Sequence, residues 1–321
     1  MSVEMDFDLG PLTWIKGELD NALDAAGAAL ADWNGQDITP LKAAAAHLHQ
    51  VYGALQIVDL QGVSLLTSET ERLLSEMAEQ VEKRHHETVD TVLRAIAALK
   101  AYLDGLMAGA PHAELKLSPI YQEVVARRGG EPPAPSELFY PDTATRASRQ
   151  EPEMPLDDAA RTRAIHGARS QYQRGLLLFL QNRDAMAGLT QMELAVRQVE
   201  RLAPGAAQFT FWWTAAGLME MLRRGRVPTD NWLKRVCGRV DLQMRRLMEG
   251  SRQLADRLFR DVLYYVAQDD ASEGRGAEVR QHFQLQRYFP AEVAAPMSDQ
   301  LTQLAALKDN LGLARDHWVR Y

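Results

Sequence analysis

Apolar residues recur at three- and four-residue spacing through almost the whole of this chain, and no stretch alternates apolar and polar residues as a half-buried strand would. A chain patterned this way buries its apolar stripes by packing helix on helix, which predicts an all-α fold. Its 321 residues are enough for two domains, and an apolar share of 46% beside a charged share of 25% belongs to a folded globular protein.

The pattern divides into segments. A first helix is expected from near Pro11, through Trp14, Ile15, Leu19, Leu23 and Ala26, to a stop at Asn34-Gly35. A second begins after Thr39-Pro40 and carries Leu41, Ala44, Leu48, Val51, Leu55 and Val58 on one stripe. A third runs through Val63, Leu66, Leu73 and Met77 with a polar stretch at 67–71, and a fourth from about Glu87 to Leu103. Four such segments with short connections predict an antiparallel four-helix bundle, followed by a shorter helix over 118–126. These make a first domain, 1–128.

Residues 129–158 hold six of the fourteen prolines and predict a linker. Its cluster Leu138-Phe139-Tyr140 is too apolar for a solvated tether and is expected to dock on a bundle. Helical periodicity resumes after Asp157-Asp158, an N-cap pair, and predicts a second bundle over 159–268. There, 230–268 reads as two helices or one bent one, and 269–276 as a loop. The remainder, 269–321, carries further helices. Its amphipathic pattern still runs at Tyr321, so a longer natural chain is expected.

Several function classes are disfavoured. The lone Cys237 forms no intramolecular disulfide and no cysteine zinc cage, and its position between Val236 and Val240 reads as a buried small hydrophobe. Eight scattered histidines show no HExxH spacing, so no metal is expected. No apolar run is long enough to span a membrane, and the opening MSVEMDFDLG lacks the basic and apolar regions of a signal peptide; a cytoplasmic protein is expected.

Charge is uneven. Residues 1–125 carry 8 Lys and Arg against 19 Asp and Glu, whereas the rest carries 28 against 24. The basic stretch Arg223, Arg224, Arg226, Lys234, Arg235, Arg239, Arg245, Arg246 and Arg252 could bind an acidic partner or a phosphate, but it reads more readily as a solvated face paired with acids such as Glu220, Asp241 and Glu249. It lacks the interleaved exposed aromatics of a nucleic-acid site, so no nucleic acid is expected.

The stretch most able to carry chemistry is HLHQVYGALQIVDL, 47–60. His49 and Gly53 are four apart, so on a helix the glycine lies one turn from the imidazole on the same face and leaves the ring open to a partner. A glycine inside a helix costs about 1 kcal/mol against alanine, and access to His49 is a reason to tolerate it. The bland alternative is an ordinary surface histidine. His47 lies on another side of the helix.

HQVYGALQIVD resembles the histidine phosphotransfer motif, His-x-Leu-Lys-Gly-Ser on the second helix of a four-helix bundle. The resemblance maps the phosphoacceptor to His49, the motif leucine to Val51 and its glycine to Gly53. The motif lysine falls at Tyr52, and Asp59 stands where a later glycine is expected. Both departures raise the cost of negative charge at His49.

A wider resemblance rests on Leu12 to Leu19 (LTWIKGEL), on LHQVYGALQIVDLQGVSLLTSETERLL (48–74), and on LKLSPIYQEVVARRGG with the following SELFYPD. These resemble the N-terminal region of the ChpA/PilL-type chemosensory histidine kinases of type IV pili, a region shared with the pilus regulator FimL. The resemblance implies two tandem phosphotransfer-like bundles. In the second, FWWTAAGLMEML (211–222) places Gly217 with Trp213 four residues before it, and tryptophan accepts no phosphoryl group.

The resemblance implies a non-catalytic signalling and docking module of a chemotaxis-like two-component system that controls twitching motility, with receiver domains, pilus-pole scaffold proteins or receptor-array proteins as partners. It allows recruitment to the cell pole, and the parent protein is a kinase in that reading. No cofactor, ATP or Mg²⁺ is expected for this chain. Two alternatives stand beside it: an active phosphotransfer protein that takes a phosphoryl group at His49, and a freestanding FimL-like scaffold.

Overall fold

The structure is a computed structural model and describes residues 8–31, 33–148 and 157–289. The expected helices of 291–321 lie outside the described residues. Among the described residues the regular structure is helical throughout, with no strand. The chain divides into two compact units at Tyr140/Pro141, inside the proline-rich stretch.

The first unit is built from α1 (Leu9–Ala31), α2 (Thr39–Leu55), α3 (Gln61–Glu79), α4 (His86–Met107) and α5 (Ser118–Arg128). Helices α1 and α2, α2 and α3, α3 and α4, and α1 and α4 touch, so the four close a ring, and α5 lies against α3 and α4. Each follows its predecessor after a short connection, which makes neighbours antiparallel. One continuous core runs through Leu12, Leu23, Leu48, Leu55, Leu66, Leu73, Leu99 and Leu103. Leu138 of the proline-rich stretch is fully buried in that same core.

Polar groups on the buried side of α3 are satisfied locally. Thr67 and Thr70 donate their hydroxyls to the carbonyls of Val63 and Leu66, both at 2.8 Å. The N-terminus of α3 is capped from a distance. Oε1 of Glu114, in the turn before α5, accepts the N–H groups of Gly62 (2.8 Å) and Val63 (3.0 Å). Two of the donors that every helix start leaves orphaned are thereby met by one buried carboxylate. A side chain at Gly62 would collide with that carboxylate, its Cβ lying 2.9 Å from the carboxyl carbon. Across the bundle, Lys16 of α1 reaches Asp20 and Asp104 at 2.6 Å each and ties α1 to α4.

The second unit contains α6 (Asp158–Leu180), α7 (Ala185–Leu202), α8 (Gly205–Arg223), α9 (Asn231–Met248), α10 (Asp256–Ala267) and α11 (Arg275–His282). The segment 230–268 is therefore two helices, parted by a turn in which Gly250 adopts φ +86. Asp157 and Asp230 cap α6 and α9 by accepting N–H groups of Ala160 and Leu233, both at 2.6 Å. Helices α6 and α7 cross at Gly175 and Gly188, where a Cβ on the first would lie 2.5 Å from the carbonyl oxygen of the second. Only glycine at both positions lets the two backbones meet this closely.

The core of this unit is aromatic. Phe211 and Trp212 of α8 meet edge to face with centroids 4.9 Å apart, and Phe211 meets Phe259 of α10 the same way at 5.9 Å. Trp212 is fully buried and donates its indole N–H to Gln208 at 3.1 Å. Tyr172 of α6, also fully buried, donates its hydroxyl to the carbonyl of Cys237 at 2.9 Å. Burial pushes the Cys237 thiol up to about 12, which makes it a packing group rather than a nucleophile at neutral pH.

Candidate functional site

His49 lies on the side of α2 that faces α3. Its Nδ1 stands 3.0 Å from Oε1 of Glu71, and its side chain is 72% exposed. An ionised carboxylate only accepts, so Nδ1 donates in this pair and Nε2 is the ring nitrogen left for a partner. Gly53, one turn on, is exposed, and an added Cβ there would meet nothing within 4 Å. Ring and glycine therefore form one open face, with Tyr52 half-buried beside it.

Asp59 lies past the end of α2 in the turn to α3, with φ at +54, and accepts a hydrogen bond from the side-chain amide of Gln61 at 3.2 Å. The carboxylate that meets His49 is Glu71, which sequence reasoning did not single out. Its only sequence signal is the polar stretch 67–71 on the helix next to α2. Chemically, the pair offers an oriented imidazole with a carboxylate behind it that stabilises positive charge on the ring.

The other side of α2 forms a groove of about 250 Å³ with α1, floored by Leu19, Ala22, Ala25, Val51 and Ala54 and edged by Glu18 and His47. Trp14, one turn before Glu18 on α1, is 89% exposed.

In the second unit, Trp213 and Gly217 lie on one face of α8, and α11 covers it. The Trp213 ring meets His282 edge to face at 5.4 Å, and a Cβ on Gly217 would sit 3.3 Å from Val279 Cγ2. The arginines around this face are engaged within the fold. Arg224 pairs with Glu220 at 3.1 Å, Arg197 bridges Glu193 (2.7 Å) and Glu220 (2.9 Å), Arg223 binds Glu193, and Arg275 binds Glu200. Further on, Arg239 and Arg257 share Asp261, and Arg169 holds Asp241 through two hydrogen bonds of 2.9 Å each. Among the described residues, no group of three His, Cys, Asp or Glu side chains is arranged to hold a metal ion. No described helix is long and apolar enough to cross a membrane.

Comparison with known proteins points one way. Residues 157–296 match the family model described as the second domain of the FimL scaffold protein. Over 278 residues, or 84% of its length, the chain is 25% identical to the scaffold protein FimL of Pseudomonas aeruginosa, of which the match covers 49%. The chain thus spans about half the length of that curated relative. No solved structure matches. The chain is related in sequence to FimL, and its second unit carries the similarity to that scaffold's second domain.

Proposed function

We propose that the chain is a non-catalytic signalling and protein-docking module, a scaffold of the FimL kind, in a chemotaxis-like system that controls type IV pili and twitching motility. The observation that carries this reading is the similarity to a scaffold protein over 84% of the chain. The structure supports it in kind. The acids and arginines flanking α8 are spent on one another, while large apolar side chains such as Trp14 stand in solvent. Exposed tryptophan is a common anchor of protein–protein interfaces.

In this reading the partners are receiver domains, pilus-pole scaffold proteins or receptor-array proteins of the same system, met at the cell pole. Calorimetric titration of the chain with each of them tests it. Binding that persists when His49 is replaced by Gln is the expected result, and absence of binding to all of them overturns the reading.

A second reading is favoured by one observation, the exposed His49 ring held through Nδ1 by Glu71 with open space over Gly53. Those features suit a phosphoacceptor: a ring held through Nδ1, an Nε2 left for a partner and room for a receiver domain. In this reading His49 Nε2 attacks the aspartyl phosphate of a receiver domain, the phosphoryl group passes to nitrogen, and the aspartate leaves as carboxylate. Acid-labile phosphate on the wild type, absent from His49→Gln and diminished in Glu71→Gln, is its expected result. No label from a donor competent on an intact phosphotransfer domain overturns it.

A further inference from the structure

Helices α6 and α9 lie against each other, joined by the Arg169–Asp241 pair and the Tyr172–Cys237 hydrogen bond, and run antiparallel because 169 meets 241 while 172 meets 237. Their charge is one-sided. Helix α6 has four arginines against Asp158, and α9 has Lys234 and four arginines against Asp241. Asp158 is paired with Arg161 and Asp241 with Arg169. Arg163, Arg174, Arg235 and Arg246 are exposed and have no ion-pair partner among the described residues.

Two further features separate this surface from an ordinary solvated one. Leu177 and Leu242 are 55% and 44% exposed on the same two helices, amid the arginines. Gly167 and Gly238 have nothing within 4 Å of where a Cβ would be, so each leaves a shallow recess in its helix surface. Charge, exposed leucine and recess thus alternate along both helices.

The geometry points to a docking surface on the outer side of α6 and α9 for an acidic amphipathic helix of a partner protein. Arginine forks recognise carboxylates in pairs, while leucines and glycine recesses take the partner's apolar stripe. A nucleic acid backbone would use the arginines but not the leucines, and the ring of Trp232 on α9 is already covered by Arg235 at 4.5 Å. The inference rests on the scaffold reading for the kind of partner, but its test reads this one surface.

The test uses the full chain and a labelled helical peptide of glutamates with leucines at positions i, i+3, i+4 and i+7, followed by fluorescence anisotropy. The expected result is saturable binding that weakens with salt and falls by about tenfold in Arg174→Glu/Arg235→Glu, in keeping with charge complementarity at an interface. Leu177→Ser/Leu242→Ser is expected to weaken it as well. The neutral pair Arg174→Gln/Arg235→Gln, checked by its thermal melt, stands in if charge reversal disturbs folding.

Equal binding by the charge variants overturns the inference, as does no binding at all. So does equally tight binding of a glutamate peptide without leucines, of a single-stranded oligonucleotide, or of phosphatidylglycerol vesicles, each of which would make the surface a general anion binder. Titration of the chain with its pilus-system partners is a separate experiment, so the scaffold reading can fail or survive independently.

Discussion

Two helices of this protein carry a glycine four residues after a ring-bearing side chain, Gly53 after His49 on α2 and Gly217 after Trp213 on α8, and the fold treats them in opposite ways. Above Gly53 there is open space and an imidazole that reaches water. Above Gly217 lies α11, with Val279 and His282 packed onto the glycine and the tryptophan. A small residue inside a helix thus serves access in one unit and close packing in the other. Spacing alone does not tell the two apart; what lies across the face does.

The difference can be broken most forcefully where the second unit is most tightly packed. Gly175→Ala places a methyl group against the Gly188 carbonyl, which backbone cannot yield without parting α6 from α7. A loss of about 1–3 kcal/mol or more is expected, the range for overpacking, read from the urea midpoint. An unchanged midpoint would mean the crossing is looser than described.

In the first unit, Glu114→Ala removes the buried carboxylate from Gly62 and Val63 and loosens the start of α3, the helix that supplies Glu71. Leaving such donors unsatisfied costs roughly 1–3 kcal/mol. Faster amide exchange at Gly62 and Val63 is the local readout, with exchange on α9 unchanged.

The two glycines themselves sharpen the comparison. Gly53→Ala gains helix propensity with nothing to collide with and is expected to stabilise the chain by about 1 kcal/mol. Gly217→Ala gains the same propensity but presses on Val279 at 3.3 Å, so its net effect is expected to fall near zero or below. Equal effects at both positions would erase the distinction.

Much of this was legible in the sequence, for a physical reason. The helices follow from three- and four-residue spacing because a helix presents one stripe to the core, so Leu12, Leu48, Leu66 and Leu99 announce their burial. The Asp157 cap and the fate of Leu138 could be read locally too. Contacts between helices could not. Glu71 meets His49 only because α2 and α3 pack in one particular register, and nothing in 67–71 encodes that register on its own. The same holds for the carboxylate of Glu114 under α3, and for α11 over Gly217.

The smallest expected effect concerns acid. Desolvation alone would raise the pKa of Glu76, but hydrogen bonds and charge from Lys83 and Arg128 outweigh it and hold the carboxylate below its ordinary value of 4.5. A group depressed in the folded state contributes stability that is whole above its unfolded pKa and is lost as pH falls through the folded one. Glu76→Gln is therefore expected to flatten the stability curve of the first unit below about pH 4.5 and to lower the plateau above it. A curve parallel to the wild type would remove this cluster from the acid limb.

If the chain acts by docking, as proposed above, its exposed imidazole is dispensable. The most direct measurement is the twitching zone of a strain that lacks the chain, complemented with the wild type or with His49→Gln at equal protein levels. The variant is expected to restore motility as fully as the wild type. Failure of His49→Gln, with its fold and abundance intact, would contradict it and make His49 essential to what the chain does.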